Sequence, residues 1–299
     1  MLYRVMHTTT YQYTEPVSLC QNVAHLTPRP APGQNCLETS LEIHPLPAVL
    51  VERVDYFGNP ATFFAVQEPH RELTLTALHQ VEVAQRGAPD PAQTLPWEKV
   101  REMLHTDRSR DCLAASQFVW DSRYIRPSGD LADYARASFA AGRPILEGAL
   151  ELTHRIFTDF EYEPQSTTIA TALADVFAQR RGVCQDFAHL EIACLRSLGL
   201  AARYVSGYLS TEAPPGCVPL VGADATHAWV SIFCPGLGWV DLDPTNDQIP
   251  GESHILLAWG RDYDDVSPVK GVVLGGGQHS VSVAVHVERL SEVDAPGIA

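Results

Sequence analysis

The chain has 299 residues, of which 45% are hydrophobic and 19% are charged, and it carries a formal net charge of −15. This length and composition are typical of a globular protein of about two domains, and the acidic charge argues against nucleic acid as a partner because it would repel a phosphate backbone. No stretch approaches the roughly 18 consecutive apolar residues of a membrane span, and the opening MLYRVMHTTT lacks the layout of a signal peptide. We therefore expect a cytoplasmic protein that does not enter a membrane.

Cysteine and histidine usage predicts neither disulfides nor a metal site. The seven cysteines are an odd number and contain no CxxC pair, which argues against a disulfide framework and a zinc ribbon. The twelve histidines are scattered, with no HExxH motif. We expect reduced thiols and no metal or cofactor.

Residues 1–90 are predicted to form a β-rich, sandwich-like domain. Short apolar runs are separated by Pro, Gly and Asn turns, as in LYRVMHTTTYQY, LETSLEIHP, AVLVERVDYFGN and ATFFAVQE. The following stretch, RGAPDPAQTLP at 86–96, carries three prolines and one glycine. Such a composition suits a semi-rigid connection between two domains.

Residues 97–270 are predicted to form a second domain in which helices precede strands. Apolar residues recur at helical spacing in LADYARASFAAG and ILEGALELTHRIF, and strand patterns follow from ARYVSGYLS onward. This order favours an α+β fold over a parallel α/β sheet. A last strand at 278–290 alternates valines with Ser, Ala and His, and the pattern leaves open the domain to which it belongs.

The stretch RRGVCQDFAHLEIACLRSLGL, at 180–200, predicts a helix with Cys184 in its first turn. Phe187, Leu190, Cys194 and Leu198 would form one buried stripe, and Gly199 would end the helix. A helix N-terminus favours a thiolate through its unpaired N–H groups and its dipole. The same N–H groups could hold an oxyanion, and Gly182 would let a substrate backbone approach closely.

The alternative is that Cys184 is a small buried hydrophobe. That is the interpretation for the other six cysteines, Cys20, Cys36, Cys112, Cys194, Cys217 and Cys234. Cys184 differs from them only if another part of the chain supplies a base.

The stretch THAWVSIFCPGLGWVDLDPTN, at 226–246, predicts a hairpin that could supply this base. If the loop has three or five residues centred on Pro235, opposing residue numbers sum to 470 and His227 faces Asp243 at a Cβ distance of about 5 Å. A four-residue loop would shift the register by one residue. Asp241 shares the face of Asp243 and competes with it, and a His–Asp pair could also be only a stabilising cross-strand contact.

Together these groups would form one chemical unit. Cys184 would be the nucleophile, His227 the base, and Asp243 the group that orients the imidazole. The spacing does not indicate that the helix N-terminus meets the hairpin.

The sequence resembles the bacterial transglutaminase-like superfamily, a papain-like group of cysteine acyltransferases and candidate cysteine proteases. The resemblance rests on GVCQDFAHL, ARYVSGYL, HAWVSIF and GWVDLDPTN in this order, with an N-terminal region marked by LTPRP and DYFGN and a closing segment HILLAWGRDYDDVSPVKGV. It implies a papain-like core of helices packed on an antiparallel sheet, and a catalytic triad of Cys184, His227 and Asp243 rather than Asp241.

The resemblance implies acyl transfer through a thioester on a protein or peptide substrate. Hydrolysis by a protease or amidase is favoured over transfer to an amine, as in a transglutaminase or peptide ligase. A non-catalytic interaction module is the alternative from another class. Tyr162 and Gln185 are both candidates for a second oxyanion donor, and 211–225 is the predicted lid over the site. The sequence leaves the oligomeric state open.

Overall fold

The computed structural model describes residues 1–85, 87–164, 166–169, 171–210 and 226–290. The predicted lid at 211–225 and its Cys217 lie outside the described residues. The six cysteines within the described ranges are free thiols. No helix in these ranges is long and apolar enough to cross a membrane, and the cytoplasmic location stays a prediction.

The N-terminal region forms a seven-stranded sheet that also contains the two last strands of the chain. Its strands are β1 (Leu2–Ala24), β2 (Gln34–His44), β3 (Val49–Val54), β4 (Pro60–Val66), β5 (His70–Val83), β12 (Val269–Gly275) and β13 (His279–Leu290).

The long strand β1 organises this sheet because it has different neighbours along its two halves. Residues Leu2–Gln12 pair with β5 and Leu2–Tyr13 with β13, whereas Val17–Ala24 pair with β12 and Cys20–Ala24 with β4. Buried side chains of β1 from Tyr13 onward pack with β4 and β5 into one cluster, which includes Tyr13, Val17, Cys20, Phe64, Leu73 and Leu75. Tyr3 and Val5, from the first half of β1, pack into the larger core that contains the helices. The sheet therefore curls around its own core, and the strand at 278–290 belongs to it through pairing with β1.

The middle of the chain forms a helical layer on a four-stranded antiparallel sheet of order β10-β9-β8-β11. The helices are α1 (Trp97–Thr106), α2 (Arg110–Ser116), α3 (Gly129–Arg136), α4 (Ile145–Asp159), α5 (Leu173–Gln179), α6 (Cys184–Ser197) and α7 (Tyr263–Val266). The strands are β8 (Ala202–Leu209), β9 (His227–Cys234), β10 (Gly238–Leu242) and β11 (His254–Gly260), and a small parallel pair joins β6 (Glu161–Tyr162) to β7 (Arg181–Gly182). The predicted α+β, papain-like arrangement is confirmed.

Helix α6 lies between the other helices and the sheet, since it contacts α3, α4 and α5 as well as β8 and β9. The prediction of a single buried stripe was wrong, because every residue from Asp186 to Arg196 is buried. Its polar side chains can be buried because each has a partner. His189 accepts from the backbone N–H of Tyr263, and Arg196 donates to the carbonyls of Ala202 and Trp120.

Two side-chain amides of the N-terminal region form hydrogen bonds with backbone N–H and C=O groups on the outer edge of β11. The Gln34 amide donates to the carbonyl of Leu256 and accepts from its N–H, both at 2.7 Å. The Asn59 amide donates to the carbonyl of Trp259 at 2.9 Å and accepts from its N–H at 3.0 Å. Both amides complete an edge that would otherwise expose unpaired backbone groups, so the N-terminal sheet fixes the position of β11.

Candidate active site

Cys184 is the first residue of α6 and is half-buried. The Asp186 carboxylate accepts from the backbone N–H of Val183 at 2.9 Å and from the hydroxyl of Thr167 at 2.6 Å, which fixes the start of the helix. A Cβ on Gly182 would lie 2.8 Å from the Cβ of Asp186. The missing side chain at Gly182 thus makes room for the Asp186 cap, and the approach of a substrate backbone at Gly182 stays a prediction.

The N-terminus of α6 provides possible oxyanion donors. Cys184 and Gln185 occupy the first two helical positions, where backbone N–H groups have no acceptor within the helix. Tyr162 pairs across the small parallel sheet with Gly182, two residues before the cysteine. These positions are compatible with oxyanion binding, and the choice between Tyr162 and Gln185 as an additional donor stays open.

His227 begins β9, and its side chain is fully buried against Asp243. The imidazole Nε2 lies 2.8 Å from Asp243 Oδ2, a normal distance for an N–H donating to a carboxylate. Sequence and structure thus agree that these two side chains meet, although the register that brings them together is different.

The predicted hairpin register was wrong by two residues. Strands β9 and β10 pair Trp239 with Phe233 and Leu242 with Val230, so opposing residue numbers sum to 472. The reason is the loop, which is 235–237 and is centred on Gly236, where φ is +88°. This register places Asp243 beyond the end of β10 and diagonal to His227, still on the same face and within side-chain reach.

Asp241 lies in a different environment. It is paired with Ser231, and its charge acts on the buried guanidinium of Arg203, which lies over the rings of Trp239 and Trp259. Burial lowers the pKa of Arg203 to about 9 while Asp241 opposes this shift. The structure therefore brings Asp243, and not Asp241, to His227.

Asp243 is fully buried, and among the described residues four groups donate hydrogen bonds to it. Oδ2 accepts from His227, from the Asn246 amide at 2.8 Å and from His254 Nε2 at 3.1 Å, while Oδ1 accepts from the Thr245 backbone N–H at 2.9 Å. Burial raises the pKa of Asp243, but the charge and hydrogen bond of His227 and those of His254 outweigh burial and hold it well below its usual range. The carboxylate is therefore ionised at neutral pH.

His227 also interacts with the thiol of Cys184. Burial lowers the pKa of His227, but the charge and hydrogen bond of Asp243, followed by Cys184, outweigh burial and raise it. Because Asp243 occupies Nε2, the nitrogen that remains for the thiol is Nδ1, a buried atom that has no hydrogen-bond partner among the described residues. Contacts of this kind are often loose until a substrate binds.

His254 was not identified from the sequence as part of this site. It is the first residue of β11, and its side chain is only 2% exposed. The sequence showed it at the start of HILLAWGRDYDDV, but no pattern paired that segment with the hairpin. Its position becomes evident only through the pairing of β11 with β8 and of β8 with β9.

Three buried side chains of the site offer metal-ligand atoms. His227, Asp243 and His254 place one such atom each within 4.8 Å of one another. The nitrogen to oxygen distances of 2.8 and 3.1 Å match N–H···O hydrogen bonds. The expectation that the protein needs no metal stays a prediction.

Two family models match the chain. The bacterial transglutaminase-like N-terminal region matches residues 3–82, and the transglutaminase-like superfamily core matches residues 132–244, which include Cys184, His227 and Asp243. A protein of Mycobacterium tuberculosis strain H37Rv, described as uncharacterised, is 41% identical over 289 residues, which span 93% of this chain and 90% of that protein.

Two further comparisons concern a named enzyme and a solved fold. A protein-glutamine gamma-glutamyltransferase of Pseudomonas aeruginosa is 32% identical over 122 residues, covering 40% of this chain and 18% of that protein. The crystal structure of a candidate cysteine protease from Cytophaga hutchinsonii superposes with a TM-score of 0.75 at 24% identity, covering 99% of this chain and 93% of the other. This second likeness concerns the fold alone.

Proposed function

The chain belongs to the bacterial transglutaminase-like superfamily, and from that premise we propose that it is a cysteine acyl-transfer enzyme with Cys184 as nucleophile, His227 as base and Asp243 as the orienting carboxylate. We propose a protein or peptide substrate and water as the acyl acceptor, which makes the enzyme a protease or amidase.

One observation carries this proposal: the imidazole of His227 lies between an ionised, fully buried carboxylate and the thiol of Cys184. Asp243 stabilises the imidazolium form of His227, and an imidazolium beside a thiol stabilises the thiolate. Cys184 is also the first residue of α6, where unpaired backbone N–H groups and the helix dipole favour a thiolate. A cysteine used only for packing would need none of these groups.

The reaction follows from this arrangement in two steps. The Cys184 thiolate attacks the amide carbonyl carbon, and the resulting oxyanion accepts hydrogen bonds at the start of α6. The C–N bond then breaks as His227 donates its proton to the leaving amine, which leaves a thioester on Cys184. Water attacks the thioester, gives one proton to His227 and releases a carboxylic acid, and the thiolate returns.

Amine transfer is the second candidate, and the match to the gamma-glutamyltransferase supports it. A primary amine would replace water in the second step and would form a new amide. Both reactions share the thioester on Cys184, so the first step can be tested before the acceptor is known.

The test is mass spectrometry of each cysteine peptide after brief treatment with substoichiometric iodoacetamide at about pH 6, where ordinary thiols are protonated. We expect selective labelling of Cys184 that His227→Ala abolishes. Cys36 is also half-buried and is the matched comparison, so Cys36→Ala should leave labelling of Cys184 unchanged. Equal labelling of Cys184 and Cys36 would contradict the proposal and support an interaction module.

Cys184→Ala should abolish turnover of a glutamine-containing casein substrate and leave the melting temperature within about 2 °C, because the side chain is small and half-buried. Ammonia or new carboxylate without incorporation of an added dansylated amine would indicate hydrolysis, and incorporation of the amine would indicate transfer. A large loss of thermal stability in Cys184→Ala would support the packing interpretation instead.

A further inference from the structure

A second histidine holds the carboxylate of the candidate triad. Oδ2 of Asp243 accepts from His254 Nε2 at 3.1 Å in addition to His227 and Asn246. Because the carboxylate is ionised and only accepts hydrogen bonds, Nε2 of His254 must carry a proton. The other ring nitrogen, Nδ1, lies 3.2 Å from the Ser253 hydroxyl. The two contacts together fix the orientation of the His254 ring.

The hydrogen bonds to Asp243 differ in what they connect. Thr245 and Asn246 are two and three residues after Asp243 in the chain, so their hydrogen bonds hold the shape of this turn but do not connect it to another element. His227 and His254 lie on other strands, β9 and β11. Since Asp243 lies just beyond the end of β10, these two histidines attach its carboxylate to the rest of the sheet.

His254 is itself held on two sides. Its ring lies edge-on to the indole of Trp229, with ring centroids 5.3 Å apart and an interplanar angle of 85°. Its strand, β11, is fixed on the outer edge by the amides of Gln34 and Asn59 from the N-terminal sheet. A rigid donor on a supported strand is suited to fixing the direction of a carboxylate.

We propose that His254 is a positioning residue for the acyl-transfer reaction: its Nε2–H holds the Asp243 carboxylate in the orientation that His227 needs. This inference rests on the proposed function, because positioning has a meaning only if His227 activates Cys184. His254 acts through Asp243, and its contact with the rings of Trp229 and His227, the latter at a centroid distance of 5.9 Å, closes the carboxylate off from water.

The experiment compares two substitutions that separate the N–H donor from the ring. His254→Gln keeps an N–H donor near the position of Nε2 but loses the ring, whereas His254→Phe keeps the ring against Trp229 but loses the donor. We measure the rate constant for iodoacetamide labelling of Cys184 between about pH 5 and pH 8. Thermal unfolding of each variant is recorded in parallel.

We expect His254→Phe to slow labelling of Cys184 at low pH by about 10- to 100-fold, the effect of losing a hydrogen bond to a charged group, and His254→Gln to stay within about threefold of the unsubstituted protein. Ser253→Ala removes only the hydroxyl that contacts Nδ1 and should slow labelling by about two- to fivefold. If His254→Phe does not fold, the Ser253→Ala result decides, and an unchanged rate then overturns the inference.

Three other outcomes would overturn the inference. A normal rate in His254→Phe with a reduced rate in His254→Gln would assign only a packing role to the ring and would overturn the inference, while labelling that still depends on His227 would keep the proposed function. Failure of selective labelling in the unsubstituted protein would overturn both. Stoichiometric zinc in the purified protein, lost in His254→Phe, would also overturn the inference, because the three side chains would then be metal ligands.

Discussion

Two buried carboxylates of the core, one just beyond β10 and one in the middle of α6, are held in opposite ways. Asp243 accepts hydrogen bonds from four groups, and its pKa lies well below its usual range. Glu191 accepts one, from the Thr153 hydroxyl at 2.8 Å, and its Oε2 has no partner among the described residues. Burial raises the pKa of Glu191 to about 8, and the charges of Asp243 and Asp247 add to this shift.

The comparison indicates that burial alone does not decide whether a carboxyl group is charged. Both side chains are fully buried, so the difference arises from the N–H donors and the histidine charge around Asp243. The candidate site therefore maintains one anion by surrounding it with donors, while the neighbouring helix interior holds a neutral acid at pH 7. Replacing each carboxyl group with its amide should therefore have very different consequences at the two positions.

The largest effect on activity is expected from Asp243→Asn. The amide keeps the shape of the side chain, but it removes the charge and places an N–H group among N–H donors. We expect Cys184 labelling at low pH, and any turnover, to fall by about 10³- to 10⁴-fold, as when the carboxylate of a Ser-His-Asp triad is neutralised. The free energy of unfolding should fall by about 3 kcal/mol, because the partner charge on His227 stays buried.

Asp241→Asn is the matched control for this substitution. Asp241 is on β10, two residues before Asp243, but its charge acts on Arg203 rather than on His227. Labelling of Cys184 should therefore stay within about threefold of the unsubstituted protein. Equal losses in the two variants would indicate a general effect of negative charge and would contradict the role given to Asp243.

A smaller effect on activity is expected from Gln34→Leu, which acts on the site from the N-terminal sheet. The substitution leaves the N–H and C=O of Leu256 without their side-chain partners, so β11 should be less firmly held. We expect unfolding to become easier by about 2 kcal/mol and Cys184 labelling to slow by about fivefold, through a misplaced His254. Glu191 is bonded from α4 and should keep its pH behaviour.

Asn35→Leu tests whether the Gln34 effect is specific. Asn35 is the next residue on β2 and its side chain is exposed, so both stability and labelling should stay close to those of the unsubstituted protein. Normal labelling in Gln34→Leu, together with reduced stability, would mean that β11 keeps its place without the amide. The N-terminal sheet would then support the fold and not the site.

Much of the candidate site could be predicted because its residues lie in two local patterns. Cys184 follows from a helix start, and the pairing of His227 with an aspartate follows from alternation along a hairpin. A loop with an odd number of residues places Asp243 and His227 on one face of the hairpin, and this holds although the observed register differs from the predicted one by two residues. The sequence could not choose between Pro235 and Gly236 as the centre of the loop, since both residue types are common in turns.

The parts that could not be predicted depend on contacts distant in sequence. Gln34 and Leu256 are 222 residues apart, and His254 reaches Asp243 only because β11 pairs with β8. Likewise, α6 contains His189, Glu191 and Arg196, which look like solvent-facing residues in a pattern with one apolar stripe. Their burial depends on partners from α4, α7 and neighbouring loops, which no local spacing reveals.

The smallest effect on activity, and the clearest effect of pH on stability, is expected from Glu191→Gln. In the unsubstituted protein Glu191 has a folded pKa of about 8 and an ordinary value of 4.5, so the folded chain binds more protons than the unfolded chain between these values. Stability from this group is therefore lost as the pH rises from about 4.5 to about 8. Glutamine mimics the neutral acid and removes this dependence, while Cys184 labelling should stay within about twofold.

Urea unfolding of both proteins at about pH 5, 6.5 and 8 measures this difference. The free energies of unfolding of the two proteins should be nearly equal at the lowest pH. At the highest pH, Glu191→Gln should be more stable than the unsubstituted protein by about 2 to 4 kcal/mol. Because Asp243 contributes to the raised pKa of Glu191, the gain should be smaller when Glu191→Gln is combined with Asp243→Asn. If the difference in the free energy of unfolding between the two proteins is the same at all three pH values, Glu191 is ionised inside α6. The contrast between the two carboxylates would then be wrong.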